Sequence, residues 1–230
     1  MSPGHPETSA TLVLASRSPR RRWLLEQAGF GSSAGPSLQV IDPPHDDPAT
    51  PNPADGQSAE AFAAATAEAK ADSLVDLQRF RDAWVLAADT VCVGPGGELI
   101  GKPANQEKAL AMLEAFVGHE HHVVSGVALL ALDHTGRCTH REHWADTATV
   151  AWGTINVSDL RAYVATDAWR GKAGGYNLRE RVDAGWPITV DGDPATVMGL
   201  PMRRLIPELA AAFLALNSPT PPTPAAGRSA

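Results

Sequence analysis

Apolar positions along the chain come in short blocks, each cut off by Gly, Pro, Ser or Asn, rather than in one long run. Residues 11–15 (TLVLA) read as a β-strand, and Ser18-Pro19 then predicts a helix start, with Ser as N-cap, Pro in the first turn and Gly29 as the stop. Ser58 caps a second predicted helix whose alanine-rich body carries Ala63, Ala67 and Lys70. Residues 84–88 and 91–93 read as strand, with Asp89 inside it or at a break. The Gly94-Pro95-Gly96-Gly97 run predicts a hairpin turn returning through Leu99-Ile100. Asn105 opens a third helix that places Leu110, Leu113, Phe116 and Val117 on one face, with Gly118 as its end. Residues 122–132 predict a buried strand and 147–152 its antiparallel neighbour; Ser158 caps a helix through Val164, 186–190 return to strand, and 201–216 close as helix. Helices alternate with strands while hairpin signals are also present. The expectation is an α/β fold built on a mixed twisted sheet flanked by helices.

Both ends fall outside this pattern. Residues 1–10 and a Pro-rich tail, 217–230, are expected to be disordered, leaving 11–216 as one domain; residues 43–57, dense in Pro and Asp, are expected to form a surface loop. With 230 residues, 43% hydrophobic and 20% charged, the body has ordinary globular usage and enough length for a real core. The balance of 26 acids against 19 bases, a net charge of -7, argues against a broad footprint for nucleic acid, so an anionic ligand must be met locally. Cys92 and Cys138 are the two cysteines and are expected as free thiols, Cys92 in the core. No apolar run reaches the roughly 20 residues that span a bilayer, and the first ten residues lack the order of a signal peptide, so a cytoplasmic location without membrane contact is expected.

Three segments carry candidate chemistry. Ser16-Arg17-Ser18-Pro19-Arg20-Arg21-Arg22 puts three arginines in the first turn of a helix, where cations oppose the helix dipole. A bound polyanion would make sense of them, met by Ser16, by backbone N–H groups and by guanidinium forks. Asp89 directly follows an apolar β run, a costly place for a carboxylate unless something pairs with it or coordinates it. Lys102, fixed by Pro103 on the hairpin arm, could face it across the sheet. Gly171-Lys172-Ala173-Gly174-Gly175-Tyr176 lacks the hydroxyl residue and the upstream glycine of a Walker loop, and reads instead as a glycine-rich loop able to approach a ligand, with one cation in it. His119-Glu120-His121-His122 has no partner cluster at structural-zinc spacing and is expected to be a turn of solvated imidazoles. Trp84, Trp152 and Trp186 are expected to pack rather than stack on a ligand.

Taken in order, Ser16-Arg17-Ser18-Pro19-Arg20-Arg21, Asp46-Asp47, Ala69-Lys70-Ala71, Ala88-Asp89-Thr90, Gly101-Lys102-Pro103, Gly171-Lys172-Ala173-Gly174 and Gly199-Leu200-Pro201 resemble the Maf family of nucleoside triphosphate pyrophosphatases, over about residues 11–214. The resemblance implies two lobes around a nucleotide cleft, akin to the inosine triphosphate pyrophosphatases, often in a homodimer. It implies hydrolysis of a nucleoside triphosphate between the α and β phosphates, with a divalent metal, Mg²⁺ or Mn²⁺. Asp89 would then be the proton acceptor and, with Asp47, a metal ligand; Lys70 and Lys102 would join it in catalysis. Ser16, Arg20, Arg21, Thr90, Lys172 and Arg179 would bind substrate. Arg20 and Thr90 match members preferring dTTP and UTP. Two positions depart from the pattern: Asp47 stands where the family commonly has Glu, and Arg179 where the pyrimidine-preferring members have Gln. Arg only donates hydrogen bonds, so it suits the carbonyls of uracil or thymine but not their N3–H, and a one-residue adjustment would bring Glu180 to that place instead. Alternatives to dTTP, UTP or a modified pyrimidine triphosphate are 7-methyl-GTP and a role as a nucleotide-sensing division regulator without turnover.

Overall fold

The computed structural model describes residues 11–44, 51–54 and 56–217, the side chains of 215–217 excepted. The expected tails apart from Asn217, residues 45–50 and 55 of the Pro- and Asp-rich loop, and with them Asp46 and Asp47, therefore lie outside the described residues. Among the described residues seven strands form one sheet. Five of them are β1 (Thr11–Ala15), β2 (Ser37–Ile41), β3 (Ala83–Val93), β4 (Leu99–Ile100) and β5 (Glu120–Leu132), and β6 (Cys138–Trp152) and β7 (Ile188–Asp191) complete it. The order is β2-β1-β3-β5-β6-β7, with β4 added to β3. The β2, β1 and β3 strands run parallel, and β3, β5, β6 and β7 are antiparallel to their neighbours in turn, so the sheet is mixed as expected.

Among the described residues seven α-helices surround it: α1 (Pro19–Gln27), α2 (Ala59–Val75), α3 (Gln106–Phe116), α4 (Val157–Ala165), α5 (Leu178–Asp183), α6 (Pro194–Met198) and α7 (Met202–Asn217). Ser18, Ser58 and Asn105 act as the N-caps of α1, α2 and α3, each accepting a backbone N–H from the first turn. The cap of α4 is Asn156 rather than Ser158; the final helix lies where expected, as α7, and is preceded by a short helix that was not expected, α6, ending at the left-handed Gly199. Neither β2 nor the first half of β6 was expected, and both are mostly exposed strands. No helix among the described residues is long and apolar enough to cross a membrane.

The two-residue period of the strands sorts the core onto two faces. Leu12, Leu14, Trp84, Leu86, Ala88, Val127 and Leu129 pack on α1, α6 and α7. Their neighbours Val13, Ala15, Val85, Ala87, Ala128 and Leu130 pack on α2 through Ala67, Ala71 and Leu74. Beyond them, α3 and α4 close over Val123, Val150, Trp152 and Ile188. The expectation of solvated imidazoles fails at His121, which is fully buried on β5, stacked on Phe116 at 3.9 Å and hydrogen-bonded through Nε2 to the Tyr176 hydroxyl at 2.8 Å. A strand that turns one face to α3 must bury alternate residues whatever their polarity. Burial and, to a lesser degree, neighbouring His122 push the His121 pKa down to about 4.

Candidate active site

Strand β3 outruns β1. Their pairing ends at Ala15 and Ala87, and β4 takes up the same edge of β3 only at Cys92 and Val93. Ala88 to Val91 are thus left open on that edge, directly beyond the carboxyl end of β1. This is also where the parallel part of the sheet changes direction, since β1 has β2 on one side and β3 on the other, the place where open α/β sheets form a crevice. A cavity of about 490 Å³ sits there. Its lining carries seven basic side chains, Arg17, Arg20, Arg21, Lys70, Lys102, Arg170 and Lys172, and among the described residues a single carboxylate, Asp89. An acidic protein with this wall is built for a local, highly charged anion.

Strand alternation places Asp89 and Thr90 on opposite faces of β3 and gives each a different partner. Asp89 points to the α2 side with Val85 and Ala87. There Lys70, three residues beyond the buried Ala67, comes down on the apolar stripe of α2. Lys70 Nζ donates to Asp89 Oδ1 at 2.7 Å and to the Ala88 carbonyl at 3.2 Å. Lys70 is 2% and Asp89 7% exposed, so each charge depends on the other to offset its desolvation. The approach is made possible by Gly126, opposite Asp89 on β5: a Cβ there would fall 2.2 Å from the backbone of Ala63. Gly126 was not singled out in the sequence. An isolated Gly inside a strand pattern is the signal for such a close approach.

Thr90, on the other face, meets α1. Arg21 Nη2 donates to Thr90 Oγ1 at 2.9 Å, Nε to the Gly199 carbonyl at 3.0 Å and Nη1 to Ser16 Oγ at 3.3 Å. The Thr90 and Ser125 hydroxyls lie 2.9 Å apart, and Ser125 Oγ donates to the Thr196 carbonyl at 2.8 Å. Because Ser125 spends its proton on Thr196, the proton between the two hydroxyls belongs to Thr90, and the chain runs in one direction from the guanidinium to the α6 backbone. Ser125 and Thr196 were not foreseen, since neither belongs to a local motif. Ser16 Oγ also accepts the Ser18 N–H at 3.1 Å, which ties the end of β1 to the α1 cap.

The remaining expected site residues divide. Ser16, Arg20, Lys102 and Lys172 all line the cavity with Asp89, Thr90, Lys70 and Arg21. Lys102 does not pair with Asp89 across the sheet; the residue opposite Asp89 is Gly126, and the paired ammonium is that of Lys70. Lys172, held in the 171–175 loop, forms an ion pair with Glu180 at 2.8 Å. Arg179 stands apart. Its guanidinium rests over the Trp23 ring at 4.7 Å, within 3.7 Å of Asp183, and it is not part of the cavity lining. The first turn of α5 thus turns Arg179 onto α1 while Leu178 stays in the core and Glu180 faces Lys172. Phe62, Val91, Ile100, Val123, Val197 and Met198 give the same cavity an apolar part. Cys92 is buried at its wall, and burial raises its thiol pKa well above the usual range.

A concave site at the turning point of an open α/β sheet, with excess cations around the one buried and paired carboxylate among the described lining residues, defines a binder of multiply charged anions. The chain belongs to the Maf family: the family model for Maf-like protein matches residues 11–212. It is 34% identical over 207 residues to the dTTP/UTP pyrophosphatase of Salinibacter ruber, covering 90% of this chain and 93% of that one. The dTTP/UTP pyrophosphatase of Rhodospirillum rubrum is 36% identical over 195 residues, covering 85% and 84%, and that of Myxococcus xanthus 35% over 206 residues, covering 89% and 94%. Among solved structures, a nucleoside-triphosphatase / dITP/XTP pyrophosphatase of Mycobacterium abscessus matches at 16% identity and a TM-score of 0.35 over 90% of this chain and 96% of that one, a likeness too loose to bear on the site.

Proposed function

We propose that the protein hydrolyses a nucleoside triphosphate between the α and β phosphates, releasing the monophosphate and pyrophosphate, with dTTP, UTP or a modified pyrimidine triphosphate as substrate. The observation that carries the reading is the buried Lys70–Asp89 pair set in the wall of a cavity otherwise ringed by cations. Family membership and the dTTP/UTP pyrophosphatases among its relatives support it.

In this reading the water oxygen attacks the α phosphorus as Asp89 takes its proton, and the bond from the α phosphorus to the oxygen bridging to the β phosphate breaks. Lys70 holds one carboxylate oxygen of Asp89, which fixes the orientation of the group before substrate arrives. Arg20, Lys102 and Lys172 offset the charge of the phosphate chain. The α1 N-terminus adds backbone N–H groups, and Arg21 arrives already aligned by Thr90, Ser16 and Gly199. The apolar part of the cavity suits a nucleobase.

A divalent cation belongs to this proposal. Among the described residues no group of three or more His, Cys, Asp or Glu is placed to hold one. The donor set nevertheless fits Mg²⁺ or Mn²⁺, which are satisfied by one or two carboxylates together with waters and phosphate oxygens. Asp89 would be the carboxylate here, joined in the proposal by Asp47. Bound, the ion would offset phosphate charge and lower the pKa of the attacking water. The homodimeric state proposed alongside rests on the family resemblance, and the cytoplasmic location on the sequence reading above.

The test is pyrophosphate release from a panel of canonical and modified nucleoside triphosphates, run beside Asp89→Asn with Mg²⁺ or Mn²⁺. Loss of about 10²-fold or more in turnover with nucleotide binding retained is the expected result. Full activity in the variant removes Asp89 from the mechanism, and binding without release from any nucleotide in the wild type would leave a sensor in place of an enzyme.

A further inference from the structure

Lys172 lines the cavity, yet it is already engaged. Its Nζ donates to Glu180 Oε2 at 2.8 Å, and its side chain is only 14% exposed. Glu180 is not part of the lining. It sits in the first turn of α5, about half exposed, with its second oxygen accepting from Asn177 Nδ2 at 3.1 Å. The same carboxylate acts on Arg20 from across the rim: burial lowers the pKa of the Arg20 guanidinium, and Glu180 opposes that shift. Arg20 Nε is buried without a hydrogen-bond partner, so its charge is desolvated and only partly answered. One carboxylate outside the cavity therefore offsets two of the cations inside it.

Among the described lining residues, seven basic side chains around one carboxylate would grip a multiply charged anion strongly, and a hydrolase must also let its product go. We propose that Glu180 is an internal counter-anion that competes with the phosphoryl groups for Lys172. Lys172 passes from Glu180 to a phosphate oxygen when the anion binds and returns to Glu180 when it leaves. The exchange makes and breaks no covalent bond; the ammonium trades one anionic oxygen for another. Asn177 holds Glu180 through its other oxygen while the trade occurs, and the loop that delivers Lys172 carries Gly171, Gly174 and Gly175 at φ of 71°, 71° and 73°. Glu180 is thus a positioning residue that sets how tightly the anion is held. The inference rests on the pyrophosphatase reading for its biological meaning, but its test does not need turnover.

The probe is inorganic pyrophosphate, titrated calorimetrically into the full-length chain. Glu180→Gln keeps the shape and the acceptor for Asn177 while removing the charge. It is expected to bind pyrophosphate about three- to fivefold more tightly at low salt, as suits a half-exposed ion pair. The gain should shrink as salt is raised and should be largely lost in a Lys172→Met background. Equal or weaker binding by Glu180→Gln, or a gain that survives intact without Lys172, overturns the proposal. A gain seen in a protein that releases pyrophosphate from no nucleotide would leave the counter-anion standing and remove the pyrophosphatase reading.

Discussion

Gly126→Ala is the substitution that most directly couples packing to chemistry. The added Cβ would lie 2.2 Å from the Ala63 carbonyl carbon, 2.3 Å from its oxygen and 2.4 Å from the Ala64 nitrogen, all helix backbone that cannot turn aside as a side chain can. Reaching an ordinary contact of 3.4 Å requires α2 to withdraw by about 1 Å, and overpacking of this kind costs about 1–3 kcal/mol. Lys70 stands two helical turns further along the same helix, and its bonds to Asp89 at 2.7 Å and to the Ala88 carbonyl at 3.2 Å span the interface that opens. A misplacement of about 1 Å near a reacting group is worth about 10²-fold in rate. Urea unfolding and steady-state pyrophosphate release, measured on the same preparation, should therefore show both losses. Gly96→Ala is the control, since its Cβ would meet only the mobile end of the Glu98 side chain at 2.7 Å, and its stability should stay within about 0.5 kcal/mol of wild type. Undiminished kcat together with unchanged stability in Gly126→Ala would refute the argument that this glycine sets the distance between α2 and Asp89.

Two further outcomes are expected. His121, whose pKa falls from 6.5 in the unfolded chain to about 4 in the fold, is held neutral by burial, so below about pH 6.5 the unfolded state binds its proton more readily. Stability is full above that value, falls as pH drops toward 4, and loses up to about 3 kcal/mol below it. Chemical unfolding between pH 7 and 4 should show a shallower acid loss in His121→Gln, and identical slopes would mean that His121 is not the group responsible. Arg179→Gln should leave the kcat/KM ratio between pyrimidine and purine triphosphates unchanged, because the guanidinium lies over Trp23 and outside the cavity; a clear shift in that ratio would place the residue at the base after all.

The chain's local signals were enough for the elements that are capped or half-buried. Ser18, Ser58 and Asn105 announced their helices because a hydroxyl or amide that accepts a first-turn N–H is a property of a few adjacent residues. The apolar run of β3 and the GPGG turn did the same for the central hairpin, and the ordered motifs named most of the residues that now line one cavity. What escaped were β2 and the outer half of β6, mostly exposed strands held by backbone pairing, in which the hydrophobic period is too short or absent to read.

Partnership was decided only by the fold. Nothing local says that Asp89 is answered by Lys70 rather than by Lys102, because the choice depends on α2 lying against β5 at Gly126. Nor does the local sequence show that Arg21 is aligned through Thr90, Ser125 and Thr196. Arg179 is the instructive opposite: its place in the motif suggested a base contact, but the orientation of α5 against α1 turned it onto Trp23 and set Glu180 beside Lys172. Residue type and spacing determine which groups are available and which face of an element they share. Which of them meet depends on how far apart the packed elements stand, and that distance is set by contacts between residues remote in the chain, here 63 with 126 and 21 with 199.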